Sequence, residues 1–151
     1  PRDALTDHEA DFIQARDGFY LGSVGEDGWP YVQFRGGPAG FLQVLDEKTI
    51  AWADFRGNRQ YLSAGNVTAN DKVSLFLMDY PNRRRLKLWG RVRIVEAEDD
   101  PALVRSLFPA GYKAIPERAM VVTIAAFDWN CPQHIPQRLT QTEWEAAAAD
   151  G

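Results

Sequence analysis

From Phe19 to Phe127 the chain divides into short segments rich in aromatic and β-branched residues, separated by Gly, Asp and Pro. Segments of this kind predict β-strands joined by tight turns. Six or seven such strands favour an antiparallel meander, and closure of the meander removes edges that would otherwise be exposed. We therefore predict a mainly β fold, a closed or split β-barrel with short helices. The predicted strands are residues 19–24, 30–36, 40–45, 48–53, 72–78, 85–96 and 119–127.

Short helices are predicted between and beyond these strands. Thr6 and Glu9 have the spacing of a capping box, which predicts a helix from there to about residue 16. Thr140 and Glu143 repeat that spacing and predict a helix in the tail. Asn58 is a suitable cap for a helix over 59–64, and a proline in the first turn suits another helix that starts at 100–101.

No internal repeat or change of composition marks a second domain. We expect one split-barrel domain over residues 1–151, with an N-terminal helix within 1–18 and a C-terminal loop and helix within 128–151. The formal charge of −4 gives no sign of nucleic-acid binding, and no apolar run reaches the roughly 18 residues that span a bilayer. The single Cys131 excludes an internal disulfide. These features favour a cytoplasmic protein without a nucleic-acid or membrane partner.

The first segment that could carry chemistry is residues 52–66. A predicted strand ends at Trp52-Ala53, and a helix is predicted to begin near Asn58. The amides of a helix N-terminus favour an anion, and Arg59 adds a bidentate donor, so this turn is a candidate phosphate site. The alternative is a polar connection in which Arg59 lies in solvent.

The second segment is the basic run Arg83, Arg84, Arg85 and Lys87. Side chains two apart on a strand share a face, so Arg85 and Lys87 point the same way. They could hold an anion between them. The alternative is a solvated strand on which positive charges prevent edge-to-edge aggregation.

The third segment, residues 127–138, combines two prolines with Trp, Gln, His and Arg. Rigid irregular loops of this kind often line binding sites. Cys131 and His134 are too few for a zinc site, and nothing orients them as a nucleophilic pair, so no metal is expected. Tyr31, Tyr80 and His134 are polar candidates for acid–base chemistry, but the sequence assigns none of them a catalytic role.

Taken together, these segments resemble the FMN-binding split-barrel family of pyridoxamine 5'-phosphate oxidase-like proteins, over about residues 19–138. The family's first strand pattern matches PYVQFRGG (30–37), and its aromatic-Thr pair and Ser-Arg-Lys turn match Trp52-Ala53 and Gly57-Asn58-Arg59. A later strand pattern appears as NDKVSLF (70–76), and residues 84–90 match the strand that brings flavin contacts from the other subunit.

The resemblance implies flavin mononucleotide (FMN) as cofactor, bound at the interface between the two subunits of a homodimer. Because Asn58-Arg59 is a reduced form of the family's phosphate turn and Ala53 replaces its threonine, phosphate binding is expected to rely also on Arg85 and Lys87. The C-terminal residues with which the oxidases bind pyridoxamine phosphate have no clean match here, so that substrate is not expected. The implied cofactor-binding residues are Tyr31, Gln33, Arg35, Trp52, Ala53, Asn58, Arg59, Arg84, Arg85, Lys87, Gln133, His134 and Arg138.

The leading functional hypothesis is an FMN-dependent oxidoreductase that acts on a small molecule or a reduced nicotinamide. A non-catalytic flavin-binding or stress-related module is the second hypothesis. The third is a barrel that binds haem or another anion, in which His134 would be the residue to test.

Overall fold

The computed structural model describes residues 2–55, 70–108, 116–130 and 132–150, apart from the side chains of Phe55 and Pro116. The described helices are α1 (Asp7–Gln14), α2 (Pro101–Ser106) and α3 (Gln141–Asp150). The strands are β1 (Gly18–Val24), β2 (Pro30–Gly36), β3 (Gln43–Asp46), β4 (Thr49–Phe55), β5 (Lys72–Asp79), β6 (Arg84–Glu96) and β7 (Pro116–Asn130).

The strands form one antiparallel sheet in the order β2-β1-β5-β6-β7-β4-β3. Its edge strands, β2 and β3, are not paired with each other, so hydrogen bonding leaves the sheet open between them. The predicted mainly β fold of split-barrel type is confirmed. All seven predicted strands are present, although β4 and β7 run further than the sequence predicted and β3 begins later.

The late start of β3 has a local cause. After β2 the chain turns at Pro38, whose carbonyl oxygen accepts a hydrogen bond from the amide of Phe41, and Gly40 has a φ of +91°. A residue in that conformation leaves the extended region that a strand needs. Residues 37–42 therefore form a corner between β2 and β3.

The main core lies on the inner face of the sheet. Phe19, Leu21 and Leu75 come from one half of it, and Ile50 and Trp52 from the other. Helix α1 packs against this core through Phe12 and Ile13, which are buried as expected for its apolar face. A second, smaller cluster lies on the outer side, where α2 covers part of β4 and β7. Its buried members are Ala51, Ala53, Val104, Leu107, Ala119 and Val121.

Three of the predicted helix starts are confirmed. The Thr6 amide and hydroxyl both donate to Glu9 Oε1, and Asp100 Oδ1 accepts from the amide of Leu103. Thr140 and Glu143 form both hydrogen bonds of a capping box at α3. The helix predicted over 59–64 lies outside the described residues. None of the described helices is both long and apolar enough to cross a membrane.

Candidate functional site

A cluster of charged side chains lies where the sheet is open, and we call it the seam. Arg35 on β2 approaches Asp54 on β4, with Nη1 and Oδ1 3.6 Å apart. Arg118 on β7 approaches the same carboxylate, with Nε and Oδ2 3.8 Å apart. The seam therefore joins strand β2 at one edge to β4 and β7 on the other side of the gap.

Burial dominates the electrostatics of the seam. The side chains of Arg35 and Asp54 are 6% and 16% exposed. Burial raises the pKa of Asp54, although Arg35 and Arg118 act in the opposite direction, and Glu117 and Glu96 add to the rise. Burial also lowers the pKa of Arg35, against the attraction of Asp54 and Tyr31. Both groups are thus held in an environment that disfavours charge.

Two further polar side chains near the seam are buried without hydrogen-bond partners among the described residues. Gln33 is 5% exposed, and neither its Oε1 nor its Nε2 is hydrogen bonded. The indole Nε1 of Trp52, which is 2% exposed, also has no partner in this part of the chain. Buried polar groups are nearly always hydrogen bonded, so each of these groups marks a place where a ligand could supply the missing bond.

Strand geometry explains why these residues meet. Tyr31, Gln33 and Arg35 alternate along β2 and share one face, and Trp52 and Asp54 do the same on β4. Phe19, the cross-strand partner of Arg35, packs edge-on against Trp52 with ring centroids 5.0 Å apart. The predicted site residues Tyr31, Gln33, Arg35 and Trp52 are therefore brought to one region.

Arg85 and Lys87 lie elsewhere, on the outer side of β6. They share that side with a shallow apolar surface, which we call the outward face. Lys87 Nζ lies 6.0 Å from the centroid of the Phe76 ring. The outward face consists of Tyr20, Gly22, Val32, Phe34, Ser74, Phe76, Lys87 and Trp89.

The predicted residues of the C-terminal loop form a third group. Gln133, His134 and Arg138 are exposed, and His134 has a φ of 68°, while Ile135 between them is buried. Arg138 lies over the ring of Tyr80, 5.5 Å from its centroid. Within one chain the structure does not bring this loop to Gln33 or Trp52.

The remaining predicted cofactor-binding residues do not lie together. Arg84 lies over the rings of Phe12 and Trp129, beside α1. Ala53 is buried beneath α2, on the side of β4 opposite Trp52. Asn58 and Arg59, the proposed phosphate turn, lie outside the described residues.

The model of the family described as pyridoxamine 5'-phosphate oxidase matches residues 5–129. The chain belongs to this family. The match covers α1, α2 and nearly the whole sheet, including every described residue of the seam. It confirms the family that the sequence motifs indicated.

Solved structures share the fold of this family member at low sequence identity. A candidate pyridoxamine 5'-phosphate oxidase from Lactobacillus delbrueckii is 21% identical with a TM-score of 0.64, over 84% of this chain and 95% of the other. An F420 reductase is 22% identical with a TM-score of 0.55, over 78% and 94%. An FMN-binding protein from Syntrophomonas wolfei is 13% identical with a TM-score of 0.56, over 83% and 88%. No curated protein matches the sequence.

Sequence reasoning missed Asp54 and Arg118, the two partners of Arg35 around the seam. The strand was predicted to end at Ala53, so Asp54 was assigned to a turn. One more alternation step along β4 would have placed Asp54 on the face of Trp52. Arg118 precedes the predicted last strand, and the sequence carries no local signal that pairs it with Asp54.

Proposed function

We propose that this family member binds FMN at the seam and is an oxidoreductase that acts on a small molecule or a reduced nicotinamide. The observation that carries the proposal is Gln33, whose amide oxygen and nitrogen are both buried without hydrogen-bond partners in the described chain. A side chain in this state leaves one acceptor and one donor available to a ligand.

The chemistry of the seam fits a flavin. The polar edge of a flavin ring offers carbonyl oxygens and an N–H group, and the amide of Gln33 can complement both kinds. The Trp52 indole adds a donor, and Arg35 adds a cation to a region of low exposure. When bound, the flavin supplies the redox chemistry, and the protein supplies binding and orientation.

The chain's own residues have separable tasks in this proposal. Asp54 is the counter-charge that holds the guanidinium of Arg35 in place. Arg118 in turn holds the carboxylate of Asp54 on the far side of the gap. The rings of Phe19 and Trp52 form an apolar wall that excludes water from the polar groups. Hydrogen bonds to a ligand are stronger in such surroundings than in water.

Two of the similar structures support a flavin-type cofactor. One of these proteins is an FMN-binding protein, and the other is an F420 reductase. Both fit the proposal of an isoalloxazine-like ring at the seam, and the sequence motifs favour FMN between the two.

Titration of the purified protein with FMN tests the binding. The Gln33→Ala variant should bind FMN about 5- to 150-fold more weakly, because the loss of a hydrogen bond to a buried ligand costs about 1–3 kcal/mol. The matched control is Gln43→Ala, since Gln43 lies on β3 and its amide nitrogen donates to the Ser106 carbonyl. Equal FMN affinity in wild type and Gln33→Ala would contradict the placement. Binding of F420 but not of FMN would assign the other cofactor.

Turnover needs a separate measurement. In an anaerobic stopped-flow assay of flavin absorbance, the protein loaded with oxidised FMN should take a hydride from NADH or NADPH, or, once its flavin has been reduced chemically, should pass the electrons to a small-molecule acceptor. Stable flavin without any absorbance change over a panel of donors would favour a flavin-binding module without catalysis. A Soret band with added haem that is lost in His134→Ala would favour the haem-binding alternative.

A further inference from the structure

The polar groups that a ligand would contact at the seam are covered in this structure. The side-chain oxygen and nitrogen of Gln33 and the indole nitrogen of Trp52 are all buried. A hydrogen bond needs donor and acceptor atoms about 3 Å apart, and a ligand cannot come that close to an atom that the protein covers. Part of the protein must therefore move before a ligand can bind to Gln33, and the structure describes a closed form of the seam.

The closed seam contains polar atoms without hydrogen bonds. Among the described residues, Asp54 Oδ1 and Arg118 Nε are buried and, like the amide of Gln33, make none. The two ion pairs in which Asp54 takes part have distances of 3.6 Å and 3.8 Å, which are too long for hydrogen bonds. Each unpaired buried group destabilises the closed form, and water that enters an open form would pair it. Opening at the seam is therefore favoured over opening through the apolar part of the core.

Strand β2 lies at one edge of the sheet and can move without the loss of a second ladder. It is hydrogen bonded to β1, from Gly18 opposite Gly36 to Val24 opposite Pro30, and to no other described strand. Strand β7, by contrast, is hydrogen bonded to β6 on one side and to β4 on the other. In the described part of the chain, a movement of β2 about β1 separates only side chains across the gap.

Both ends of β2 adjoin glycines in unusual conformations. Gly28, in the turn before the strand, has a φ of +82° and open space around it. Trp29 beside it is 74% exposed, so this turn projects into solvent. Gly40, in the corner after the strand, has a φ of +91°. Hinges are commonly a few residues at the ends of an element, often small ones, so these two places suit a strand that moves as a unit.

Strand β2 is held most firmly near the corner. Arg35 forms the ion pair with Asp54, which is the one ion pair of the described residues that crosses the gap from β2. The amide of Gly37 also donates to the Asp17 carbonyl oxygen at 3.0 Å. Gln33 lies two residues nearer the free turn than Arg35 does. The ion pair of Arg35 and Asp54, which we call the latch, therefore holds the strand next to the residue that has to be uncovered.

We propose that β2 is a gate, which swings away from β4 when the latch breaks, uncovers Gln33, admits FMN to the seam and then closes again. The entry of FMN rests on the proposed function, whereas the opening itself does not. A closed gate excludes water from the polar groups of the seam, and the time that a ligand needs to enter is set by how often the gate opens.

The reactivity of an introduced thiol tests the opening without FMN. In a Cys131→Ser background, Gln33→Cys places a thiol behind the gate, and Val122→Cys places one in the main core on β7. With 4,4'-dithiodipyridine, Gln33→Cys should react at least about tenfold faster than Val122→Cys, because a local opening requires less free energy than global unfolding. Equal rates would show that only global unfolding exposes position 33, and would overturn the gate.

The latch is tested by Arg35→Gln in the Gln33→Cys protein. Glutamine leaves Asp54 without its counter-charge on β2, so the thiol should react at least about tenfold faster than with the latch intact. The matched control is Gly90→Ala, which destabilises the packing of β6 on β7 in the closed and the open form alike and should leave the rate unchanged. No acceleration in Arg35→Gln, or equal acceleration in the two variants, would overturn the role of the latch.

Stopped-flow association of FMN with wild type and with Arg35→Gln relates the gate to binding. Loss of the Arg35 contact should raise the dissociation rate, and loss of the latch should also raise the association rate about tenfold. A residue that only contacts a ligand changes mainly the dissociation rate, so unchanged or slower association in Arg35→Gln would overturn the role of the gate in ligand entry. If wild type does not bind FMN at all, the proposed function is wrong, and the thiol reactions still decide whether β2 opens.

Discussion

Arg35 and Asp54 face each other across the gap in the sheet, 3.6 Å apart from Nη1 to Oδ1. The two strands that carry them, β2 and β4, share no backbone hydrogen bond. This ion pair, which Arg118 extends, therefore links two parts of the sheet that the backbone does not connect. The arrangement links the stability of the fold to the region in which we propose that FMN binds.

Removal of Arg35 should destabilise the protein. In Arg35→Met the partly buried carboxylate of Asp54 keeps, among the described residues, only the more distant Arg118 as an ion-pair partner, and breaking a buried pair costs about 3 kcal/mol. Urea denaturation should show this loss. The control is Arg91→Met, which breaks the exposed pair with Asp71 and should change the unfolding free energy by less than about 1 kcal/mol. Equal losses in the two variants would contradict the role of the seam.

Asp54 should give the stability a pH dependence of unusual sign for a carboxylate. Because burial raises the pKa of Asp54 above its ordinary 3.8, the folded state binds its proton more tightly than the unfolded state. The stabilisation from this group is present at low pH and is lost as the pH rises through the raised pKa. The unfolding free energy of wild type relative to Asp54→Asn should therefore fall from pH 4 towards pH 7. A difference that is constant or rises with pH would show that the pKa is not raised.

Glu9 should behave in the opposite way. It accepts from Thr6 and, through Oε2, from the indole Nε1 of Trp129 at 2.9 Å. Burial disfavours its charge, but these hydrogen bonds outweigh burial and lower the pKa of Glu9 below 4.5. Glu9→Gln should lose about 1–2 kcal/mol at pH 7, and the loss should shrink as the pH falls through the lowered pKa. Glu98→Gln, at an exposed position in the turn after β6, is the control and should leave the unfolding free energy unchanged.

Gly90 should not tolerate a side chain. It follows the register shift between Trp89 and Gly90, and an added Cβ would lie 2.6 Å from Val122 Cγ1 and still closer to the carbonyl oxygen of Thr123. Gly90→Ala should lower the unfolding free energy by about 2–3 kcal/mol in a denaturant titration. Gly28→Ala is the comparison, because its position has open space and only its φ of +82° opposes the change. A smaller effect at Gly90 than at Gly28 would contradict the close packing of β6 on β7.

Local patterns in the sequence predicted most of the fold, because strand alternation and helix capping depend on neighbouring residues. Both capping boxes and all seven strands are examples. The ends of β4 and β7 were harder to predict, because pairing between these strands extends them past their apolar stretches. Asp54 and Arg118 belong to a strand only through that pairing.

The candidate site was predicted less completely than the fold. Alternation along β2 placed Gln33 and Arg35 correctly on one face, but nothing local shows that the amide of Gln33 is buried without a partner. That property depends on how Phe19, Trp52 and their neighbours close over it. Likewise Ala53 follows Trp52 in sequence, yet α2 covers it from the other side of the sheet. Such facing relationships arise from long-range packing.

Helix α2 covers Ala51 and Ala53 on one part of the outer surface, whereas Tyr20, Val32, Phe34 and Trp89 on another part are left exposed. An exposed apolar patch that fits a different surface on another copy can add copies without limit, as fibres do. By covering Ala51 and Ala53 with its own helix, this chain removes one such patch from its described surface. Six residues of helix thus reduce the area through which copies could polymerise.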